Sequence, residues 1–374
     1  MKLSSRERIM RVFQNKPYDR PVFKLWGAVP GQKLLHPDYK PVVDRAAEIT
    51  DIFATAGSPF HIYAGKRAKE FFTTETRPTD DPLWVDVITT CHTPKGSMQS
   101  IDRVSTIGDP NYTIEHMIKT PEDIEKLLSL PYEPYPIDLT SYQTECARIG
   151  DRGVVMFNLD DPIYALGRLT GSENLAIFSY DCRDLIREAV RIFADRIHAH
   201  IKAVLSQGIA PIFAWVGPEI CLPPLMGVRD FEEFVFQVEK PYCDTIHNAG
   251  GYVWLHCHGK VANFIERYIE MGVDVLNPLE PPKNGDVDLR KVVERFGHRI
   301  GLEGNIEIQH ILQSDTETLK QLMRECVEAG AAGARFILCP SAGFMEYARP
   351  EPRYIENLLT YLDYGYELVE AQRR

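Results

Sequence analysis

Short apolar runs alternate with longer amphipathic segments along this sequence, and in its second half they recur at a spacing of roughly 25 to 40 residues. Runs that are apolar almost throughout are typical of parallel strands buried on both faces, with helices covering the sheet. Seven such runs are marked by Val22, Val154, Ile212, Val253, Val275, Ile300 and Phe336. With one more strand expected before residue 150, the pattern predicts a (β/α)8 TIM barrel.

An open, doubly wound sheet is the alternative. It is disfavoured because no glycine-rich phosphate or dinucleotide fingerprint follows any strand-like run. The length of 374 residues and the hydrophobic content of 44% are compatible with one barrel domain spanning residues 1–374. An amphipathic helix predicted at residues 4–15 forms an N-terminal helical extension, and residues 42–56 also suit a helix.

Residues 69–107 lack a helical period and are predicted to form a β-hairpin insertion. Residues 84–90 alternate as a strand, and residues 93–96 have the composition of a turn before a further strand. Few polar groups converge in this stretch. We therefore expect the hairpin to cover the barrel bottom or a partner surface rather than to line the mouth.

The formal net charge of −11 and the isoelectric point near 5.5 disfavour nucleic acid or an anionic membrane as a partner. No apolar run approaches the length of a membrane span, and the first residues lack the apolar core of a signal peptide. A cytoplasmic protein is therefore expected. Its 8 cysteines include no CxxC pair, so most are expected to be small buried side chains in a reducing compartment.

Residues 250–260 predict a buried strand that runs into a cluster of metal-ligand side chains. Side chains alternate along a strand, so His256 and His258 share one face. Two imidazoles roughly 7 Å apart can bind one zinc ion if a third ligand arrives from elsewhere. Cys339, at the end of another apolar strand, is the predicted third ligand, and Glu219 is the candidate for a fourth ligand or a nearby base. The alternatives are core histidines and a buried thiol.

Polar side chains follow six of the predicted strands, and the carboxyl ends of barrel strands meet at one mouth. Each has a structural alternative, such as a helix cap or simple packing, but together they indicate a functional mouth. The predicted catalytic residues are Asp160, Glu219 and Asn277. The predicted substrate-binding residues, which wall a small pocket or orient the substrate in it, are Trp26, Asn158, Trp215 and Phe344.

Several segments resemble the uroporphyrinogen decarboxylase superfamily and, within it, the cobalamin-dependent methyltransferase branch. These segments are residues 5–13, 19–22, 250–251, 256–259, 272–280 and 301–305. The resemblance extends over nearly the whole chain. It implies a (β/α)8 barrel, in agreement with the strand count.

The two branches of this superfamily differ in their chemistry. The resemblance implies that decarboxylases bind tetrapyrrole carboxylates with arginines just after the first strand, but residues 26–33 contain no arginine. The decarboxylase histidine motif near the C-terminus is also absent. The methyltransferase branch carries a zinc site with an HxC motif and a distant cysteine, which His256 and Cys339 match. His258 stands where that branch has cysteine, which leaves the metal more Lewis-acidic and suits an oxygen or nitrogen leaving group.

The resulting expectation is a zinc-dependent methyltransferase that moves a methyl group between a small methylated substrate, such as an O-methyl aromatic ether, and a corrinoid. No DxHxxG cobalamin-ligating motif occurs in the chain, and the nearest string, residues 244–250, has the wrong spacing. The corrinoid is therefore expected on a separate partner protein. The alternatives are a cofactor-free decarboxylase or lyase with Asp160 or Glu219 as acid, and a non-catalytic barrel that binds a corrinoid or tetrapyrrole. Homodimerisation is left open.

Overall fold

The structure is a computed structural model that describes residues 2–333, 335–347 and 350–373. The strands of these residues are β1 (Val22–Phe23), β2 (Ile52–Ala56), β3 (Phe72–Pro78), β4 (Trp84–Thr93), β5 (Gly96–Ser105), β6 (Tyr112–Glu115), β7 (Gly153–Asn158), β8 (Ile212–Val216), β9 (Tyr252–His256), β10 (Val275–Asn277), β11 (Gly301–Ile306) and β12 (Arg335–Pro340). Ala334, where the last predicted strand begins, lies outside the described residues.

The helices are α1 (Ser5–Phe13), α2 (Lys40–Ile49), α3 (Ala68–Phe71), α4 (Pro121–Leu128), α5 (Thr140–Ile149), α6 (Pro162–Thr170), α7 (Ser172–Asp181), α8 (Arg183–Leu205), α9 (Val228–Phe231), α10 (Gln237–Asn248), α11 (Ile265–Met271), α12 (Leu289–Phe296), α13 (Ile308–Gln313), α14 (Thr316–Gly330) and α15 (Pro352–Ala371). A π-helical segment at Glu232–Phe236 precedes α10. Within the described residues, no helix combines the length and the apolar composition needed to cross a bilayer.

Eight of the strands form one parallel sheet in the order β1-β12-β11-β10-β9-β8-β7-β2. Asp51 joins the two edges of this order, β1 and β2. Its N–H donates to the Phe23 carbonyl at 2.7 Å, and its carboxylate accepts the Phe23 N–H at 2.9 Å. Because these bonds close the ring of strands, and helices alternate with the strands around it, the predicted (β/α)8 barrel is confirmed.

The eighth strand expected before residue 150 is β2, and it corrects the helix predicted at residues 42–56. The helix ends at Ile49, and Thr50 is already extended, with φ −91° and ψ 159°. The reason lies in the next residue, because the buried Asp51 carboxylate binds the backbone of β1 and the Arg8 guanidinium. A helix that continued through Asp51 could not make these contacts.

Helix α1 confirms the predicted N-terminal extension and closes the amino-terminal end of the barrel. A capping box between Ser4 and Glu7 starts the helix. The helix then buries Ile9, Val12 and Phe13 against inward-facing side chains of the strands. Full burial of each of these apolar side chains contributes about 1.5–3 kcal/mol. The barrel bottom is therefore a packed core, and the chemistry is left to the opposite end.

The predicted insertion is larger than a hairpin. β4 and β5 pair as predicted, with Thr93 opposite Gly96 at the turn, and β3 and β6 extend the pair to a four-stranded antiparallel sheet. The insertion does not cover the barrel bottom, which corrects that part of the expectation. Asp102 and Thr113 of this sheet line a cleft together with Asp160, which follows the carboxyl end of β7. The insertion follows β2, and segments that follow barrel strands lie at the mouth.

Candidate active site

A continuous chain of polar contacts crosses the carboxyl ends of neighbouring barrel strands. His256 Nδ1 lies 2.6 Å from Asn277 Oδ1, and Asn277 Nδ2 donates to Glu303 Oε1 at 2.9 Å. Glu303 Oε1 also lies 2.5 Å from Lys24 Nζ, and Glu303 Oε2 accepts the Trp254 indole N–H at 2.8 Å. All five side chains are buried. The structure therefore brings the predicted His256 and Asn277 into direct contact.

Lys24 is the member of this chain that the sequence interpretation missed. Its ammonium lies 4.3 Å from the ring centroid of Phe53, 5.0 Å from that of Trp254 and 5.6 Å from that of Trp26. A signal was present, because Lys24 interrupts an apolar strand run. A charge inside a barrel is costly unless a counter-charge such as Glu303 is close. A lysine there therefore indicates a buried acidic partner.

His258 lies beyond the end of β9 and still meets His256. The two ring centroids are 4.4 Å apart, with the rings nearly perpendicular at 89°. His258 Nδ1 lies 2.9 Å from Glu280 Oε1, and the other Glu280 oxygen accepts the Gly259 N–H at 2.7 Å. The predicted pairing of the two imidazoles is thus present, and each ring holds an oxygen acceptor at its Nδ1.

The two imidazoles have opposite electrostatic environments. Burial, reinforced by the neighbouring His258, lowers the pKa of His256 to about 3, so His256 is neutral at physiological pH. Burial opposes the charge on His258 as well, but its bond to Glu280 outweighs this and raises its pKa. Glu219 and Glu307 add to the negative potential at His258. The pair therefore combines a neutral ring with a ring that accepts a proton more readily.

Glu219 lies in the short 3-10 turn Pro218–Cys221 that follows β8, and its charge acts on His258. Its Oε2 is buried and has no hydrogen-bond partner within the described residues. Burial raises the pKa of Glu219 to about 7, the charge of His258 works in the opposite direction, and that of Asp161 adds to the rise. A buried carboxyl with an unpartnered oxygen and a pKa near neutrality suits either a metal ligand or a proton carrier.

Trp215 does not wall the mouth, which corrects its predicted position. Its neighbour Val216 is in register with His256, so Trp215 points outward into the helix layer. There its indole N–H donates to Glu239 Oε2 at 2.8 Å and its ring packs on Tyr242. The position of Trp215 supports the alternative interpretation, in which this side chain serves only in packing.

Asp161 and Glu239 form a buried pair of carboxyl groups in the helix layer around the barrel. Asp161 Oδ1 accepts the N–H of Tyr164 at 2.7 Å and so caps α6. Among the described residues, neither Asp161 Oδ2 nor Glu239 Oε1 has a hydrogen-bond partner, and both atoms are buried. Burial raises the pKa of Asp161 to about 6 and that of Glu239 well above its usual range, and each carboxyl acts on the other. The pair therefore holds one shared proton at neutral pH.

Asp160, a predicted catalytic residue, lies apart from the histidines in the cleft between the barrel and the inserted sheet. The cleft has a volume of about 780 Å³ and is also lined by His61, His116 and Arg168. Asp160 Oδ1 lies 3.4 Å from the Arg168 guanidinium, and both side chains are partly exposed. The structure places Asp160 at the entrance rather than beside the paired imidazoles.

The remaining predicted pocket residues lie at the mouth. The Trp26 ring centroid is 4.8 Å from that of His256. The carbonyl of Trp26 accepts the Phe344 N–H at 2.6 Å, and the Phe344 ring packs edge-on against Tyr39 at 5.2 Å. Asn158 ends β7 and is exposed. Trp26 is thus the predicted wall residue that lies directly beside the histidines.

Cys339, the predicted third ligand, faces the barrel interior but is not grouped with the two histidines in the described residues. It is fully buried, and β10 and β11 separate its strand from β9. The backbone of Trp26 and the charges of Lys24 and Glu303 surround the thiol, whose pKa burial raises well above its ordinary value.

Only some of the predicted zinc ligands offer donor atoms that suit the metal. An oxygen acceptor at Nδ1 of each ring leaves Nε2 as the ligand atom, which is the arrangement of metal-ligating histidines. The unpartnered Glu219 Oε2 is the third donor that a His2Glu set, a combination that catalytic zinc sites use, would need. Across the described residues, however, no three His, Cys, Asp or Glu side chains are already grouped as a metal site. Zinc binding by this set would therefore require His256, His258 and Glu219 to move together.

The chain is similar to several known proteins. The model of the family described as uroporphyrinogen decarboxylase (URO-D) matches residues 103–352. A methyltransferase from Methanosarcina mazei has a similar fold, with a TM-score of 0.59 and 14% sequence identity, over 97% of this chain and 99% of that chain. An AP endonuclease of family 2 from Brucella melitensis has a TM-score of 0.34 and 12% identity, over 61% of this chain and 84% of that one. No curated protein was found to match the chain in sequence.

The family match covers more than half of the chain and includes β7 to β12 and the two histidines. The recognised superfamily is therefore confirmed, together with the barrel that it implies. The identity to the Methanosarcina methyltransferase is low, so that comparison establishes the shared fold alone. The chain belongs to the uroporphyrinogen decarboxylase family.

Proposed function

We propose that this protein is a methyltransferase that moves a methyl group between a small O-methylated substrate and a corrinoid carried on a separate protein, with zinc as its metal. The observation that carries the proposal is the pair of imidazoles, His256 and His258, whose Nδ1 atoms are both engaged while both Nε2 atoms remain as donors. The whole-length fold similarity to a protein named as a methyltransferase supports methyl transfer among the reactions that such a barrel hosts.

The protein residues would bind and orient the substrate. Asn277 holds the His256 ring, and Glu280 holds the His258 ring, so neither imidazole is free to rotate. Trp26, packed beside His256, offers an aromatic face to a methoxylated ring. Bound zinc would supply a Lewis acid for the leaving heteroatom. Fixing the methyl carbon against an incoming nucleophile is the contribution of the barrel itself.

The proposal gives Glu219 one of two roles, zinc ligand or proton carrier. As a ligand it would complete the donor set of His256 and His258. As a proton carrier it would deliver the hydrogen that the leaving oxygen takes up. A Glu219→Gln variant separates these roles, since an amide cannot carry the acid proton and is a much weaker zinc ligand. Slow transfer with full zinc indicates proton handling, and loss of zinc indicates ligation.

Electrostatics favour methyl transfer over decarboxylation of a tetrapyrrole acid. Glu219, Glu280 and Glu307 all contribute negative potential at His258. A substrate with several carboxylates would be repelled by these groups, and residues 26–33 offer no arginine to bind it. A neutral methoxylated ring carries no such penalty.

The test is an assay with purified protein, zinc, a methoxylated aromatic and a reduced corrinoid. Methyl transfer should convert the Co(I) spectrum to that of methylcobalt and release the free phenol. His258→Ala should lower both the zinc content and the transfer rate at least tenfold. His92→Ala is the matched control, because His92 is exposed in the inserted sheet and bonds only to Ser97 within the described residues.

Three outcomes would count against the proposal. Transfer at an equal rate without corrinoid would remove the corrinoid partner from the mechanism. Full zinc and full activity in His258→Ala would remove the imidazole pair. Release of CO2 from an aromatic or tetrapyrrole acid, without any methyl transfer, would favour the decarboxylase alternative.

A further inference from the structure

In the polar chain inside the barrel, the donor and the acceptor of each hydrogen bond can be assigned from the groups present. This polar chain begins at Lys24, passes through Glu303 and Asn277, and ends at His256. Glu303 is fully buried. Its Oε2 accepts the Trp254 N–H at 2.8 Å, its Oε1 accepts the Asn277 N–H at 2.9 Å, and the Lys24 ammonium forms an ion pair with Oε1 at 2.5 Å. Both oxygens of Glu303 therefore act as acceptors.

The orientation of Asn277 follows from this. The atom that contacts Glu303 must be the Asn277 NH2 group, because the amide oxygen would place acceptor against acceptor. The Asn277 oxygen is then the atom 2.6 Å from His256 Nδ1. An amide oxygen has no hydrogen to give, so His256 Nδ1 must carry one. The neutral His256 ring therefore keeps its lone pair on Nε2.

We propose that Lys24 and Glu303 are positioning residues that act through Asn277 to fix His256 in the Nδ1–H tautomer and so reserve its Nε2 as an electron-pair donor. The importance of this tautomer for catalysis rests on the proposed function, in which His256 Nε2 is the atom that would bind the metal. The tautomer itself belongs to the metal-free chain and can be observed there.

Lys24 has a definite part in this arrangement. The Lys24 ammonium lies against Glu303 Oε1, the same oxygen that meets Asn277, and is enclosed by Phe53 and Trp254. A cation on this oxygen strengthens it as an acceptor, so the Asn277 NH2 group stays directed at Glu303. Without Lys24 this preference is weaker, and the Asn277 amide could turn over and offer its NH2 group to His256, which would favour the opposite tautomer.

His258 provides an internal comparison. Its Nδ1 is held by the Glu280 carboxylate directly, without an intervening amide, and Glu280 also accepts the Gly259 N–H. Its Nδ1–H is therefore fixed by a partner that does not depend on Lys24 or Glu303. A change in the barrel interior should alter His256 and leave His258 unchanged.

The experiment is a long-range nitrogen–proton NMR spectrum of the full-length, metal-free protein labelled with 15N-histidine, in which the two nitrogen shifts of a ring report its tautomer. The His256 signal is identified by its absence from His256→Gln. The unmodified protein should show the Nδ1–H tautomer at His256. Glu303→Gln and Lys24→Met should each shift His256 to a mixture or to the Nε2–H tautomer.

Glu280→Gln is the matched control and should change the His258 signal but not the His256 signal. An Nε2–H tautomer at His256 in the unmodified protein would overturn the proposal, even if none of the interior variants folds. An unchanged His256 signal in folded Glu303→Gln would overturn it as well. Failure of the proposed function appears elsewhere, as a lack of methylcobalt in the corrinoid assay, so the two failures are distinguishable.

Discussion

Replacing Glu239 by glutamine is expected to make the protein more stable at pH 8 than the unmodified chain. Asp161 Oδ2 and Glu239 Oε1 are buried with no donor between them, so the folded protein must keep a proton there. A glutamine NH2 group can fill this position permanently and donate to Asp161 Oδ2, while its oxygen still accepts the Trp215 N–H. The substitution also removes a neighbouring charge from Asp161.

The magnitude follows from the pKa of Glu239, which burial and the neighbouring Asp161 raise well above its ordinary value. A raised carboxyl pKa means that the folded state binds the proton more tightly than the unfolded state does. Its contribution to stability is therefore present below the unfolded pKa and lost as the pH rises through the folded pKa. Each pH unit in that interval costs about 1.4 kcal/mol. Asp161 remains in Glu239→Gln, so over the interval from pH 5 to pH 8 the unmodified protein should lose up to about 4 kcal/mol more stability than the variant does.

Urea unfolding at pH 5 and pH 8, followed by circular dichroism, measures the difference. Trp215→Phe is the matched control, because it removes the N–H that Glu239 Oε2 accepts at 2.8 Å but keeps both carboxyls. It should lose about 1–3 kcal/mol at both pH values. Identical losses between pH 5 and pH 8 in Glu239→Gln and the unmodified protein would show that the two carboxyls share no proton, and the reasoning would fail.

Two further stability predictions concern single backbone and ionic contacts. Gly65 and Gly250 both have a left-handed backbone, with φ of +60° and +82°, so alanine at either position should lose about 1–2 kcal/mol. Gly65→Ala should lose about 1–3 kcal/mol more than Gly250→Ala, because its added Cβ would lie 1.8 Å from the Glu133 carbonyl oxygen, whereas Gly250 has open space. Equal losses in urea unfolding would contradict this. Asp19→Asn should lose about 3–5 kcal/mol at pH 7 by breaking the buried pair with Arg8 at 2.7 Å. Burial opposes the Asp19 charge, but Arg8 lowers its pKa to about 2, so this stability is lost as the pH falls from 3.8 toward 2, and a deficit undiminished at pH 3 would refute the assignment.

The barrel was predictable because its strands are buried on both faces, which leaves uninterrupted apolar runs in the sequence. The strand β2 was not predicted because only two residues separate it from α2, and its few apolar residues extend the helical pattern of Lys40–Ile49. The break depends on Asp51, whose partners on β1 and α1 are distant in sequence. No local pattern encodes such a contact.

Strand alternation predicts contacts between neighbouring side chains but not distances around the ring of strands. Alternation placed His256 and His258 on one face, and the rings meet. Cys339 was predicted as a third ligand because it ends another strand, and two strands lie between that strand and the strand of His256. The direction of Trp215 depended on the register of β8 against β9, which a single sequence does not supply. Lys24 was overlooked because a lone charge in a strand was not matched to its buried partner.

The pairing of β1 with β12 has a consequence for synthesis on the ribosome. Val22 is in register with Ile337 and Phe23 with Leu338, so the first strand cannot find its neighbour until more than three hundred later residues have been made. At roughly 5–20 residues per second, that delay is on the order of 15–60 s. During this interval the apolar face of β1 and the segment carrying Lys24 have no counterpart strand. The nascent chain is therefore expected to depend on chaperones until its last strand emerges.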